Sequence, residues 1–125
     1  MKTTHNYVYI RLVGNIWTGD FVTIGALSMT SGGDINIVFI DEEIIAKKII
    51  AMFDSKTLKS YSAIKESLIG DIEHWKSELS KKSLHDHGIW FKEYTKPKEG
   101  IVQYSGIISA IYKDLKTDLS ELLNF

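Results

Sequence analysis

In this sequence the fold is decided by the stretch Tyr7-Val8-Tyr9-Ile10-Arg11-Leu12-Val13 and by the run that follows it, Phe21-Val22-Thr23-Ile24-Gly25-Ala26-Leu27-Ser28-Met29. Both are rich in β-branched and aromatic residues with a period of two, which is typical of half-buried strands. Strict alternation places Phe21, Thr23, Gly25 and Leu27 on one face of the second run. A third run, residues 35–40, follows the turn residues 30–34. Residues 1–40 therefore predict a three-stranded antiparallel meander whose middle strand is the second run.

Beyond residue 40 the apolar residues take helical spacing. Asp41 is a suitable N-cap for a short helix, and apolar residues three or four positions apart from Leu58 to Leu79 predict a long helix, both within residues 41–80. Residues 81–100 are polar apart from the island Ile89-Trp90-Phe91. We interpret residues 81–112 as a loop with an edge strand, followed by a strand near residues 101–105.

Residues 113–125 predict a C-terminal helix. The chain is therefore expected to form one α+β domain, residues 1–125. In it a three- to four-stranded, mainly antiparallel sheet packs against one short, one long and one C-terminal helix.

The composition excludes several classes of protein. The 125 residues carry 15 basic and 16 acidic side chains and no cysteine, which excludes disulfide frameworks, zinc knuckles, iron–sulfur clusters and thiol catalysis. No apolar run approaches the roughly 18 residues of a membrane span, and no apolar segment follows a basic start as in a secretory signal. We therefore expect a cytoplasmic protein with no membrane partner.

Two histidines raise the question of a metal site. In an extended segment His85 and His87 would lie on the same side, but no third ligand stands at a comparable spacing. We interpret the segment as a solvated loop and expect neither a metal ion nor a cofactor. An alternative function, a small hydrolase or nuclease, would use Asp20, His85 or His87.

Lysines are concentrated in residues 76–98, where six of them are interleaved with Trp90, Phe91 and Tyr94. Lysines and aromatic rings together hold single-stranded nucleic acid by phosphate attraction and base stacking, so a nucleic-acid-binding module is a further alternative. The segment contains no arginine, which favours a protein partner or a solvated surface.

The long helix is a candidate interface. Its apolar stripe spans about 33 Å at roughly 1.5 Å per residue, whereas strands of five or six residues span only about 17 to 20 Å. We therefore expect Trp75 and Leu79 to extend past the sheet and, with Trp90 and Phe91, to form an interface. The simplest such assembly is a homodimer.

Arg11 is the only arginine and lies among apolar residues of the first strand. A guanidinium buried there needs a partner, because an unpaired buried charge is strongly destabilising. We expect an ion pair with Asp20, which stands just before the second strand. The alternative is an arginine that binds an anion.

The same strands resemble a known bacterial family, the domain of unknown function 3037. The resemblance lies in Tyr9-Ile10-Arg11-Leu12-Val13, in Gly19-Asp20-Phe21-Val22-Thr23-Ile24-Gly25, and in Ile101-Val102-Gln103-Tyr104-Ser105 followed by Asp114 and Leu119 to Leu123. Length and motif order agree over nearly the whole chain. The sequence departs from the family at Asp20, usually Glu, at Thr23, usually Asn, and in lacking a proline after the first strand.

The resemblance implies a polar signature of Arg11, Asp20, Gln103 and Ser105, with Gly19 and Gly25 as fold-defining glycines. The signature residues would converge at one place if the last strand pairs beside the first. The family has no established activity. Its genes often neighbour a kinase similar to the persistence-toxin serine/threonine kinases, which implies a two-gene toxin–antitoxin or defence cassette. We interpret the protein as a small non-enzymatic interaction or regulatory module with a kinase-like protein partner.

Overall fold

One antiparallel sheet and three helices make up the described part of the chain. The structure, a computed structural model, describes residues 3–15, 20–53, 55–96 and 102–112. The elements in chain order are β1 Thr3–Asn15, β2 Asp20–Thr30, β3 Ile35–Phe39, α1 Glu42–Met52, α2 Ser55–Leu79, α3 Leu84–Tyr94, β4 Val102–Tyr104 and β5 Ile108–Tyr112. The predicted α+β class is confirmed. The helix predicted at residues 113–125 lies outside the described residues, as does Gly19.

The first three strands form the predicted meander, and the strand order is β3-β2-β1-β4. The second run is its middle strand, as predicted. The far edge of β1 is shared by β4, which pairs with residues 10–12, and by β5, which pairs with residues 3–7. The last part of the chain therefore returns to lie beside the first strand.

A β-bulge in β2 changes which residues face the core. Ile10 lies opposite Gly25 but Arg11 lies opposite Thr23, so Ile24 is an extra residue in the ladder. An extra residue moves all side chains beyond it to the other face. Strict alternation along the second run was therefore a wrong prediction, since Thr23 and Gly25 lie on opposite faces of the sheet.

The core lies between one face of the sheet and the helices. On β1 this face carries Val8, Ile10 and Leu12, all fully buried. The Asp41 side chain accepts hydrogen bonds from the Glu43 and Ile44 amides, which confirms it as the N-cap of α1. The buried residues of the three helices are Ile45, Ile49, Tyr61, Ile72, Leu79, Trp90 and Phe91.

Residues 84–94 form a helix, so the prediction of a loop with an edge strand was wrong. Ser83 caps this helix by accepting a hydrogen bond from the Asp86 amide at 3.2 Å. Trp90 and Phe91 are buried by it. The polar residues that suggested a loop lie on the exposed side of α3, because a helix on the surface of a domain needs only one apolar face.

The third helix, α3, also covers residues of the predicted interface. Leu79 is only 4% exposed and Phe91 only 2%. The Trp75 and Trp90 rings lie 5.7 Å apart, and Trp90 stacks on Tyr94 at 4.9 Å. The expectation that the end of α2 extends uncovered past the sheet was therefore wrong, because α3 packs against it and forms an aromatic cluster within one chain.

A search of the described helices for a membrane span finds none that is both long and apolar enough to cross a bilayer.

Substitution of Gly25 tests the close approach of β2 and β3. A Cβ atom there would collide with the main-chain carbonyl oxygen of Val38, which belongs to the sheet and has little freedom to move. We expect Gly25→Ala to lower the free energy of unfolding by about 1–3 kcal/mol or more, measured by urea denaturation. Gly70→Ala is the matched control, because Gly70 lies within α2 with open space around it. The control should be neutral or stabilising by up to about 1 kcal/mol. Equal stability of the two variants would contradict the close approach.

The stability of the fold at alkaline pH tests the burial of Tyr61. Burial, and secondarily the charge of Glu42, raise the pKa of this phenol to about 12, and its hydroxyl has no hydrogen-bond partner in the described part of the chain. The unfolded chain ionises first, near pH 10, so this contribution to stability is intact below that pH and is lost as the pH rises toward about 12. We expect Tyr61→Phe to unfold much like the wild type at pH 7 and to lose less stability above pH 10. An identical alkaline decline in both proteins would contradict this.

Candidate functional site

Arg11 lies at the centre of a polar row that crosses three strands. Thr23 on β2 is its partner on one side, and Gln103 on β4 is its partner on the other. Residues directly opposite each other in antiparallel strands share a face of the sheet. The family resemblance implied that Arg11, Asp20, Gln103 and Ser105 converge if the last strand pairs beside the first. In the structure β4 pairs beside β1 and sets Gln103 opposite Arg11.

The guanidinium of Arg11 is held by an aromatic ring. Its central carbon lies 4.4 Å from the centroid of the Phe21 ring, and Phe21 is 41% exposed. Arg11 itself is half-buried. Its Nε atom is buried and has no hydrogen-bond partner among the described residues. The planar cation is thus fixed in orientation by stacking. Sequence reasoning missed Phe21, because strict alternation assigned it to the same face as Leu27.

Asp20 stands at the beginning of β2, where its register partner is Asn15. Arg11 is four residues before Asn15 along β1 and faces Thr23 instead. Asp20 is exposed. The ion pair between Arg11 and Asp20 therefore stays a prediction, and the contact that the structure gives to the guanidinium is with Phe21.

Ser105 joins β4 to β1. Its hydroxyl accepts a hydrogen bond from the Tyr9 amide at 2.8 Å and donates one to the Gly106 carbonyl at 3.0 Å. Its own amide donates to the Tyr9 carbonyl at 3.0 Å. The side chain thus extends the hydrogen-bond ladder past the end of β4, and in this way it helps to hold Gln103 opposite Arg11.

Two tyrosines lie beside Arg11 on the same face. The rings of Tyr7 and Tyr9 meet edge to face with centroids 5.6 Å apart. Burial, and secondarily a hydrogen bond with Tyr7, raise the pKa of Tyr9, so the Tyr9 phenol stays neutral. Ala26 and Ser28, which lie opposite them on β2, are fully buried. This face therefore passes from a buried aromatic end to a half-buried polar end at Arg11.

A cavity lies at the other end of β2. A cavity of about 390 Å³ is lined by Gly33, Asp34, Ile35, Asn36, Lys76, Leu79, Ser80 and His87. The His87 ring lies between the Gly33 carbonyl, 2.9 Å from Nδ1, and the Leu79 carbonyl, 2.5 Å from Nε2. Both ring nitrogens are thus used to join the β2–β3 turn to the end of α2.

The residues of the hydrolase alternative are not brought together. Asp20 begins β2, whereas His87 contacts the turn beyond the end of that 11-residue strand, about 35 Å away at roughly 3.3 Å per residue. His85 and His87 lie on α3, so they do not share the side that an extended segment would give them. In the described ranges, no three side chains of the metal-ligating types are close enough to hold an ion.

The aromatic residues of the lysine-rich segment face inward. Trp90 and Phe91 are buried, and Tyr94 stacks on Trp90 while its hydroxyl donates to Asp71 at 2.9 Å. Burial also raises the pKa of Tyr94. The buried rings of Trp90 and Phe91 are therefore unavailable to stack on nucleic-acid bases, and the half-buried Tyr94 ring already stacks on Trp90. Lys98, the last lysine of the segment, lies outside the described residues.

The fold and the site define the class of the protein as a small α+β domain with a polar row across its sheet. Comparison with known families then assigns it. Residues 7–125 match the family described as protein of unknown function, DUF3037, and the chain belongs to that family. No curated protein and no solved structure matches the chain. The matched range includes Arg11, Thr23 and Gln103, so the polar row lies wholly within the family domain.

Two double-mutant cycles distinguish the partners of Arg11. Combining Arg11→Met with Phe21→Ala should give a coupling energy of about 0.5–1 kcal/mol, the usual size of a cation–π contact near a protein surface. Combining Arg11→Met with Asp20→Asn tests the predicted ion pair, which should couple by about 1 kcal/mol if the two charges meet in a buried setting. Both cycles are measured by chemical denaturation. Additive effects in the Phe21 cycle would contradict the stacking contact, and additive effects in the Asp20 cycle would remove the ion pair.

Proposed function

We propose that the protein is a non-enzymatic interaction module that binds an anionic group of a partner protein through Arg11. One observation carries the proposal. The only arginine of the chain is fixed against a partly exposed phenylalanine at the centre of the sheet, and its buried Nε has no hydrogen-bond partner among the described residues. A buried donor without an acceptor is costly, so such groups in native proteins call for an explanation.

Because Nε is buried, an anion of the partner would reach the guanidinium first at its terminal amino groups. Guanidinium groups donate two parallel hydrogen bonds to a carboxylate or a phosphate, and such charge-assisted pairs are roughly twice as strong as neutral ones. Because Phe21 already restricts the guanidinium, little side-chain entropy is lost on binding. The exposed part of the Phe21 ring offers apolar contact beside the charge, and Thr23 and Gln103 flank it with a hydroxyl and an amide.

Two arrangements favour binding over hydrolysis. The Ser105 hydroxyl is occupied by main-chain groups, so it has no base to activate it as a nucleophile. Asp20 and His87 lie at opposite ends of β2. General acid–base chemistry needs its groups within hydrogen-bond reach of one substrate, and this separation does not provide that.

The partner we propose is a kinase-like protein, because the genes of the family often neighbour such a kinase. A carboxylate or a phosphorylated side chain on that protein would meet the guanidinium. With a formal net charge of −1 for the whole chain, binding depends on this one local cation rather than on long-range attraction.

The test is the affinity of the chain for a kinase-like protein of the kind that the family resemblance implies as its partner, measured by titration calorimetry. Arg11→Gln should weaken binding by about tenfold or more, because one charge-assisted pair is lost. Arg11→Lys should lie between, since a lysine keeps the charge but not the fork. Lys65→Gln is the matched control, because Lys65 also lies over a phenylalanine ring, at 5.2 Å from the Phe39 centroid, but at another place in the fold.

The control should bind within about twofold of the wild type, a difference smaller than a single good hydrogen bond contributes. Circular dichroism of each variant checks that the fold is retained. Wild-type affinity of Arg11→Gln would contradict the Arg11 site, and failure of the wild type to bind would contradict the kinase-like partner.

A further inference from the structure

Among the described residues, the outer edge of β3 presents main-chain groups that pair with no other strand. The Thr30 amide donates to the Asp34 carbonyl and the Ile40 amide donates to the Ile24 carbonyl, each at 2.9 Å. Residues 34 and 40 therefore direct their main-chain groups toward β2. Because these groups alternate along an antiparallel strand, Ile35, Ile37 and Phe39 direct their amides and carbonyls away from β2. Within the described ranges β3 pairs with β2 alone.

This edge lacks the usual protection against pairing with another strand. Natural edge strands carry a charge, a proline or a bulge, or are covered. The five residues of β3, Ile-Asn-Ile-Val-Phe, include no charge, no proline and no glycine, and the pairing of β3 with β2 has no register shift. The bulge at Ile24 faces β1 rather than this edge. Such a strand is a ready template for a further strand.

We propose that a second copy of the chain pairs with this edge, β3 against β3, antiparallel about Ile37. In this register Ile37 lies opposite Ile37 of the second copy, and Ile35 lies opposite Phe39. Every outward amide and carbonyl of the three residues then has a partner, which makes six hydrogen bonds across the seam. The cross-strand pairs on the helix side are all between apolar side chains, which stabilise a sheet.

The four charged side chains considered at the two ends of β3 balance within each copy. Asp34 and Lys76 line the cavity beside the first residues of β3. Lys65 lies over Phe39 and pairs with Glu42 at 3.0 Å beside the last residue of the strand. Antiparallel pairing sets the first end of one copy beside the last end of the other. These four groups therefore add no net charge of their own to either end of the seam, and the exposed carboxylates of Asp41 and Glu43 follow the last end of the strand.

A two-fold arrangement also closes the edge. The same surface serves both copies, so pairing ends at a dimer and leaves no β3 edge for a third chain. The interface differs from the one predicted around Trp75, which α3 covers. Arg11 lies on β1, two strands away from the seam, so the inference is independent of the proposed function.

Amide hydrogen exchange, followed by NMR over a range of protein concentrations, tests the pairing directly. In the monomer the amides of Asn36 and Val38 are protected by β2, whereas those of Ile35, Ile37 and Phe39 are directed away from β2 and pair with no other described strand. In the dimer all five are protected. We expect the three outward amides to become at least about tenfold more protected as the protein associates, because each gains a hydrogen bond. Fast exchange of these three at every concentration would overturn the proposal.

Charge substitutions test the register. Asn36 lies opposite Val38 of the second copy, on the face away from the helices, and each dimer contains two such pairs. Asn36→Asp with Val38→Asp places carboxylates opposite each other, whereas Asn36→Asp with Val38→Lys places opposite charges there. Sedimentation velocity should show a dimer dissociation constant at least about tenfold larger for the first variant than for the second.

Both variants carry Asn36→Asp and a charge at position 38, so we expect them to change the stability of the monomer to a similar extent. Thermal unfolding of each at low concentration checks that the monomer is folded. If the wild type stays a monomer at several hundred micromolar, or if a dimer forms equally well with both variants, the β3 seam is wrong. A loss of kinase binding in Arg11→Gln would leave these results unchanged.

Discussion

The site depends on one irregularity, the extra residue in β2 between the pairs Ile10–Gly25 and Arg11–Thr23. On one side of it Gly25 faces the core under β3, where no Cβ can be accommodated. On the other side Phe21 and Thr23 turn to the opposite face, where Phe21 meets the guanidinium of Arg11. Without the bulge the same residues would point into the core, because the side chains of a regular strand alternate strictly. The bulge thus provides both a tight sheet and an exposed aromatic support for a cation.

The central strand β1 explains why residues from the two ends of the chain meet. One of its edges is taken by β2, and the other by β4 and β5, which come from the last part of the described chain. Ser105 reinforces the return by bonding through its hydroxyl and its amide to Tyr9. Gln103 is therefore held beside Arg11 by main-chain pairing rather than by a flexible loop. Binding groups supported in this way on rigid strands are well positioned to recognise a partner.

The helical layer has a different role. Its third member, α3, packs beside the end of α2 and brings together Trp75, Trp90 and Tyr94, which contact Tyr104 of β4 through Tyr94. This cluster buries the aromatic residues that sequence reasoning had assigned to an interface or to nucleic-acid stacking. The two surfaces that we propose for interactions are the polar row around Arg11 and the outer edge of β3, which pairs with no further strand among the described residues. They lie on different strands, so one chain can pair with a copy of itself and still present Arg11 to another protein.

The sequence by itself determined the local elements, because alternation and capping are properties of neighbouring residues. The meander, the Asp41 cap and the long helix follow from these patterns, and the family follows from motif order. The bulge could not be predicted in this way, because a residue is extra only relative to the register of the strand that pairs with it. The helix at residues 84–94 was also missed, because its apolar face is short and is stabilised by α2 rather than by its own composition. The neighbours of Arg11 were likewise decided by strand register, which is a long-range property of the folded chain.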